Sequence, residues 1–280
     1  MNRMIMLAAA MGASSALAGS AAGQSADWSL CARVTAGDWD RAIEACSRLV
    51  AAGKLKADER AAAYVHRGNS YLLKGDAERA IKDYDAALKL DPADVMALNG
   101  RGEAHSRRAD FARAFADYDE AVRLNPRYPL AFRNRARIHF YRGDFAAAAE
   151  DFRAAEEIDR GNAYSLLWRY VAEARAGTVD QAGLARGLPQ LREGWPKPLV
   201  LNYLGRIDEA AVMAAAAANP AQRPERECEA RFFLGQKHII AGTSEAALAA
   251  LRQAHAQCPR HMVEFHASRV ELKRLGVAAP

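Results

Sequence analysis

Apolar, small and polar positions recur along this chain with a fixed period of 34 residues. When the chain is aligned on Gly68, Gly102 and Ala136, Tyr64, Leu98 and Phe132 fall together upstream. Downstream come Tyr71, His105 and His139, then Ala80, Ala114 and Ala148. Tyr84, Tyr118 and Phe152 follow, and after them Ala87, Ala121 and Ala155. Between the two apolar stretches stand Gly75, Ala109 and Gly143, followed by Asp76, Asp110 and Asp144. Such a unit predicts two antiparallel helices joined by a turn, with an aspartate placed to cap the second. The small residues let the helices approach, and the aromatics fill the space beside them. No segment alternates with strand period over a useful length, so the chain reads as all-α.

The repeats are clearest over 61–162, as three units beginning at Ala61, Val95 and Pro129. Pro92 and Pro126 close the first two. Residues 25–60 read as a degenerate helical hairpin. A fourth unit starts near Ala163, keeps Gly177 and Ala182, and loses its pattern by Gly187. Pro189, Gly194, Pro196 and Pro198 then bar a continuous helix. A short apolar helix is expected at 199–204 and an alanine-rich one after Asp208, with a polar linker over 220–226. Residues 163–226 thus form a degenerate repeat with a helical insertion. Gly235, Gly242 and Ala247 align with Gly68, Gly75 and Ala80. Residues 227–280 therefore hold a further repeat, and 262–275 reads as a capping helix. The period and residue types resemble the tetratricopeptide repeat. That resemblance implies a solenoid of antiparallel helix pairs with a concave face that binds peptides or proteins.

The first 24 residues change the expected compartment. Arg3, the apolar run Met4–Met11 and the small residues around Ala16–Ala22 have the layout of a secretory signal. Leu17-Ala18-Gly19-Ser20 looks like a lipoprotein box with serine in place of the acylated cysteine. The mature chain is therefore expected to be exported, periplasmic and soluble, with no lipid anchor at this site and no transmembrane segment. The net charge of +5 is modest, although residues 101–142 hold ten arginines against five acids. A solvated arginine-rich surface accounts for that stretch, and nucleic acid is not expected as a partner.

Four cysteines follow the signal: Cys31, Cys46, Cys228 and Cys258. An even count in an exported chain predicts disulfides. In the repeat frame Cys228 opens one helix and Cys258 closes its antiparallel mate. Cys46 falls at the Tyr84 position of the N-terminal hairpin, with Cys31 on the helix before it. The expected pairs are Cys31–Cys46 and Cys228–Cys258.

Catalytic chemistry is not visible. There is no phosphate-binding loop, no HExxH, no GxSxG and no CxxC zinc spacing. His105 and His139 occupy the slot of Tyr71 and read as half-buried packing residues. No cofactor, metal site or catalytic residue is expected, and the chain reads as a non-enzyme.

The C-terminal half carries Trp195-Pro196, Pro198-Leu199, Asn202-Tyr203-Leu204-Gly205-Arg206-Ile207, Phe232-Phe233-Leu234-Gly235, Val263-Glu264-Phe265 and Glu271-Leu272-Lys273-Arg274-Leu275-Gly276-Val277, in this order. These elements resemble the NlpI-like family of bacterial envelope tetratricopeptide proteins. The resemblance implies a helical adaptor that docks an envelope processing protease and peptidoglycan hydrolases, and that forms homodimers. The alternative from another class is a structural subunit of a secretion or cell-envelope assembly. The first helix of each unit is expected to line the concave face. Its polar and aromatic positions are Asn69, Asn99, Glu103, Arg107, Arg133, Arg137 and Tyr141. These form the expected groove, where Asn bonds a peptide backbone and Arg takes a carboxylate. The proline-broken insertion, with Trp195, Leu199 and Tyr203, is the second expected contact region.

Overall fold

Residues 25–32, 38–260 and 262–277 are described by a computed structural model. The expected signal over 1–24 lies outside them. All regular elements among the described residues are helical. They are α1 (residues 25–32), α2 (Trp39–Ala51), α3 (Ala57–Leu73), α4 (Ala77–Leu90), α5 (Val95–Arg107), α6 (Phe111–Leu124), α7 (Pro129–Arg142) and α8 (Phe145–Ile158). Then follow α9 (Ala163–Arg175), α10 (Gln181–Gly187), α11 (Lys197–Tyr203), α12 (Glu209–Ala217), α13 (Arg223–Ile240), α14 (Ser244–Gln257) and α15 (Val263–Arg274). The chain divides into two compact units, the first ending at Arg108 and the second beginning at Ala109.

In the first unit, α2 packs on α3, α3 on α4, and α4 on α5. The wedge between them is Tyr84, which is fully buried. A Cβ on Gly68 of α3 would come within 2.9 Å of this ring, and one on Gly100 of α5 within 2.5 Å. Both contacts are closer than real Cβ atoms tolerate, so the second helix of one repeat fixes glycine in two first helices. The Tyr84 hydroxyl donates to Asn69 Oδ1 at 2.6 Å, so the buried phenol is satisfied. The turn aspartate caps as expected at Asp76, which accepts from the Arg79 backbone N–H at 2.9 Å, and in the second unit Asp110 accepts from Arg113 N–H at 3.2 Å, whereas the Asp144 side chain makes no cap bond to α8. Cys31 and Cys46 are joined, with Cα atoms 4.9 Å apart, and α1 is thereby tied to α2.

The second unit is built around Trp168 of α9. Its indole meets Phe140 of α7, Phe152 of α8, and Phe232 and Phe233 of α13, at centroid distances of 5.1 to 5.6 Å. The fourth hairpin is truncated: α10 has seven residues, in keeping with the loss of pattern at Gly187. Asp208 caps α12 by accepting from Ala211 N–H at 2.8 Å. The expected linker over 220–226 is different in the structure. Pro220–Gln222 form a 3-10 turn, and α13 already begins at Arg223. Pro224 does not prevent this, because the first turn of a helix leaves its N–H groups without intrahelical partners anyway. Cys228 and Cys258 are joined across α13 and the end of α14, again with Cα atoms 4.9 Å apart.

The terminal helix α15 packs on α14 and α13, as a cap would, but it also reaches α7. Arg274 donates to the carbonyls of Phe140 and Tyr141, both at 3.2 Å. Glu271, fully buried, is held by Arg175 of α9 at 2.7 Å and by Arg274. Both guanidinium groups lie over the Phe145 ring. Burial pushes both arginines below their usual range.

Candidate protein-interaction surfaces

The residues expected to line the groove fall into both units. In the first, Asn69, Asn99, Glu103 and Arg107 are half-buried on α3 and α5. Arg107 Nε donates to Glu103 Oε1 at 3.1 Å, and its Nη1 donates to the Leu72 carbonyl at 2.8 Å. The guanidinium therefore bridges α5 to the end of α3. Asn69 gives its oxygen to Tyr84, which leaves its amide N–H groups for another acceptor.

In the second unit, Arg133 pairs with Asp159 at 3.0 Å. Arg137 donates to Asn134. It also faces Glu264 of α15, and its positive charge favours the ionised carboxyl there. Tyr141 is 8% exposed, and its hydroxyl donates to the Val263 carbonyl at 3.4 Å. Arg137 and Tyr141 thus sit where α15 docks. The aromatic expected at one end of the groove is covered by the chain's own last helix.

Within the insertion, Leu199 and Tyr203 are buried, and the Tyr203 hydroxyl donates to the Phe233 carbonyl at 2.6 Å. Trp195 is half-buried. Its Nε1 donates to Glu229 Oε2 at 2.5 Å, and the Tyr164 hydroxyl donates to the same oxygen at 2.9 Å. Burial raises the Glu229 carboxyl above its ordinary range, and these two donors oppose the rise. Burial and the nearby Glu229 push Glu264, almost wholly enclosed, up to about 8. Two carboxyl groups so placed resist being ionised together.

Sequence reasoning missed one ordered set of charges. Arg67, Arg101, Arg135 and Arg169 recur every 34 residues on α3, α5, α7 and α9. Arg67 forks onto Asp83 at 2.8 and 2.6 Å. Arg101 pairs with Asp85 at 2.7 Å. Arg135 forks onto Asp151 and also reaches Asp119 at 2.6 Å. Arg169 holds Glu156 at 2.7 Å and Glu173 at 3.0 Å. The signal was present, an arginine immediately before Gly68, Gly102 and Ala136 and again before Tyr170, but the arginine-rich composition hid it.

Among the described residues, no group of three or more His, Cys, Asp or Glu side chains is placed to hold a metal ion. No helix among them is long and apolar enough to cross a membrane.

Comparison with known families agrees with this architecture. Residues 68–107 match the TPR repeat family, and residues 99–163 match the family described as tetratricopeptide repeat. Among solved structures, a tetratricopeptide repeat protein from Parabacteroides merdae ATCC 43184 is similar over 84% of this chain and 93% of that one, at 16% identity and a TM-score of 0.55. MamA is similar over 55% of this chain and 89% of its own, at 20% identity and a TM-score of 0.49. The first TPR of Spaghetti (RPAP3), solved with an HSP90 peptide, matches 43% of this chain and 96% of its own, at 24% identity and a TM-score of 0.42. The fold class is the all-α tetratricopeptide solenoid, built of consecutive packed helix pairs. Repeats of this class are protein-interaction modules, so the class defined here is a protein-binding scaffold.

Proposed function

We propose that this chain is a non-catalytic adaptor of the bacterial cell envelope, resembling the NlpI-like family, that brings peptidoglycan hydrolases together with an envelope processing protease. One observation carries the reading. The separate sequence elements that resemble the family meet in space. Trp195 bonds Glu229, Glu264 faces that same carboxyl, and on the helix that carries Glu229 the rings of Phe232 and Phe233 pack against Trp168. Elements spread over 195–265 are thus tied into one structure, as a shared function would require. The polar first-helix face of α3 and α5, with Asn69, Asn99, Glu103 and Arg107, is the proposed docking surface in the first unit. The first 24 residues supply export, and the two cysteine pairs suit an oxidising compartment.

The test uses the purified oxidised chain, a peptidoglycan endopeptidase and a C-terminal processing protease. Binding is read by light scattering and cleavage by gel. The adaptor reading expects the chain to bind both enzymes and to speed cleavage of the endopeptidase by the protease. Cleavage of peptidoglycan or protein by the chain alone, or no binding to either enzyme, would overturn it.

A further inference from the structure

A cavity of about 310 Å³ opens in the second unit, where the turn after α8 meets the irregular segment before α11. The turn comes this close because residue 161 is glycine. Its φ is +83°, and a Cβ there would lie 2.7 Å from the Gln190 carbonyl oxygen. Tyr164, Trp195 and Pro196 supply the apolar lining. The hydroxyl of Tyr164 and the indole N–H of Trp195 both donate to the same oxygen of the half-buried Glu229. Their polar groups are satisfied there, so these two side chains present ring surface to a ligand and are already fixed in place.

The charges beside this surface are unequal. Asp159 already accepts from Arg133 at 3.0 Å and from Asn162 at 2.9 Å. Arg160 and Arg192 also line the cavity, are exposed, and make no hydrogen bond or ion pair among the described residues. Two unpaired guanidinium groups thus flank a preorganised aromatic surface. The cavity has room for about one large side chain. Trp, Tyr and Arg are the residue types on which protein interfaces depend most. Rigid anchors lower the cost of ordering on binding. A guanidinium fork matches a carboxylate with two parallel hydrogen bonds.

We propose that this cavity binds an acidic peptide segment of a protein partner. An apolar side chain of that segment rests on Tyr164, Trp195 and Pro196, and a neighbouring carboxylate pairs with Arg160 and Arg192. This assignment rests on the protein-binding function proposed above, and it adds a site and a ligand chemistry. The site is separate from Arg137 and Tyr141, which lie under α15.

The probes are short fluorescent peptides with amidated C termini, in which Leu alternates with Glu, Gln or Lys. Binding to the purified chain, with both disulfides intact, is read by fluorescence polarisation. The Glu peptide should bind, the Gln peptide should bind more weakly, and the Lys peptide should not bind. Arg160→Glu with Arg192→Glu should lower affinity for the Glu peptide by at least about tenfold, the scale set by a lost charge pair at an interface. Neither arginine makes a bond, so the circular dichroism spectrum and the melting curve should stay unchanged. Equal binding of the Glu and Gln peptides, or undiminished binding by the double variant, would overturn the site. If the site fails while the chain still binds its envelope enzymes, the adaptor reading stands on another face. If it binds neither, both readings fall.

Discussion

Arg135 shows how charge is built into the core of this repeat. The general repeat pattern has leucine just before the small residue of the first helix. Here that slot holds Arg67, Arg101 and Arg135. Arg135 is largely buried against Asp151, with side-chain exposures of 18% and 10%. A buried pair of this kind is not a large net stabiliser, because both groups lose hydration. Breaking it is another matter. Asp151→Ala should cost about 2 kcal/mol, since the guanidinium loses its fork in a partly dry site but keeps Asp119. Arg135→Leu strands the carboxylate and should cost a similar amount. The double variant should cost less than the sum, by about 1 kcal/mol or more. Urea unfolding of the four proteins measures this directly. Additive losses would mean that the Arg135–Asp151 pair is only a solvated decoration. The arginine count in 101–142 therefore has a structural part, because Arg107, Arg133 and Arg135 of that stretch hold helices together.

The individual helices were legible in the sequence. The 34-residue period, the turn glycines and the capping aspartates specify hairpins through local chemistry alone. The cysteine pairs also follow from that frame, because antiparallel helices bring chosen ends together. What was not legible is where α15 goes. Its contact with α7 joins residues 122 positions apart, Tyr141 and Val263, and no local pattern encodes it. Nor could spacing show that Glu264 is buried beside Glu229. That pair makes α15 sensitive to pH. Glu264 has a folded value near 8 against an ordinary value of 4.5. The folded chain keeps its proton after the unfolded chain has released it. Stability should therefore fall as pH rises from about 4.5 to about 8, and level off above that. Glu264→Gln keeps a neutral side chain at every pH and should flatten this slope. Urea midpoints at pH 5, 6.5 and 8 would show it. A wild-type slope no steeper than that of the variant would mean that Glu264 ionises normally and that α15 tolerates the charge.

At the scale of the whole molecule, a disulfide joins two helices near each end of the described residues, and this links the fold to the oxidising compartment proposed above. Cys31–Cys46 closes a loop with a sequence separation of 15, and Cys228–Cys258 one of 30. In the chain-entropy account each contributes roughly 3 kcal/mol by restricting the unfolded chain. For the first hairpin that contribution decides whether α1 stays docked, because its apolar cluster is small and the disulfide lies inside it. For the second unit it adds to a large aromatic core that already holds α13. The two bridges should therefore fail differently. When the chain is produced with its first 24 residues and recovered from the envelope, it should show no free thiols. Peptide mapping should return only the two pairs named. When it is made in a reducing cytosol without those residues, it should carry free thiols and unfold at lower urea. Hydrogen exchange should then locate the loosening first in residues 25–60, with α13 and α14 remaining protected. Oxidation should restore both. Free thiols in the exported chain, or any bridge linking Cys31 or Cys46 to Cys228 or Cys258, would break the link between compartment and fold. Equal protection of both hairpins after reduction would instead show that the N-terminal pair adds nothing beyond its apolar contacts.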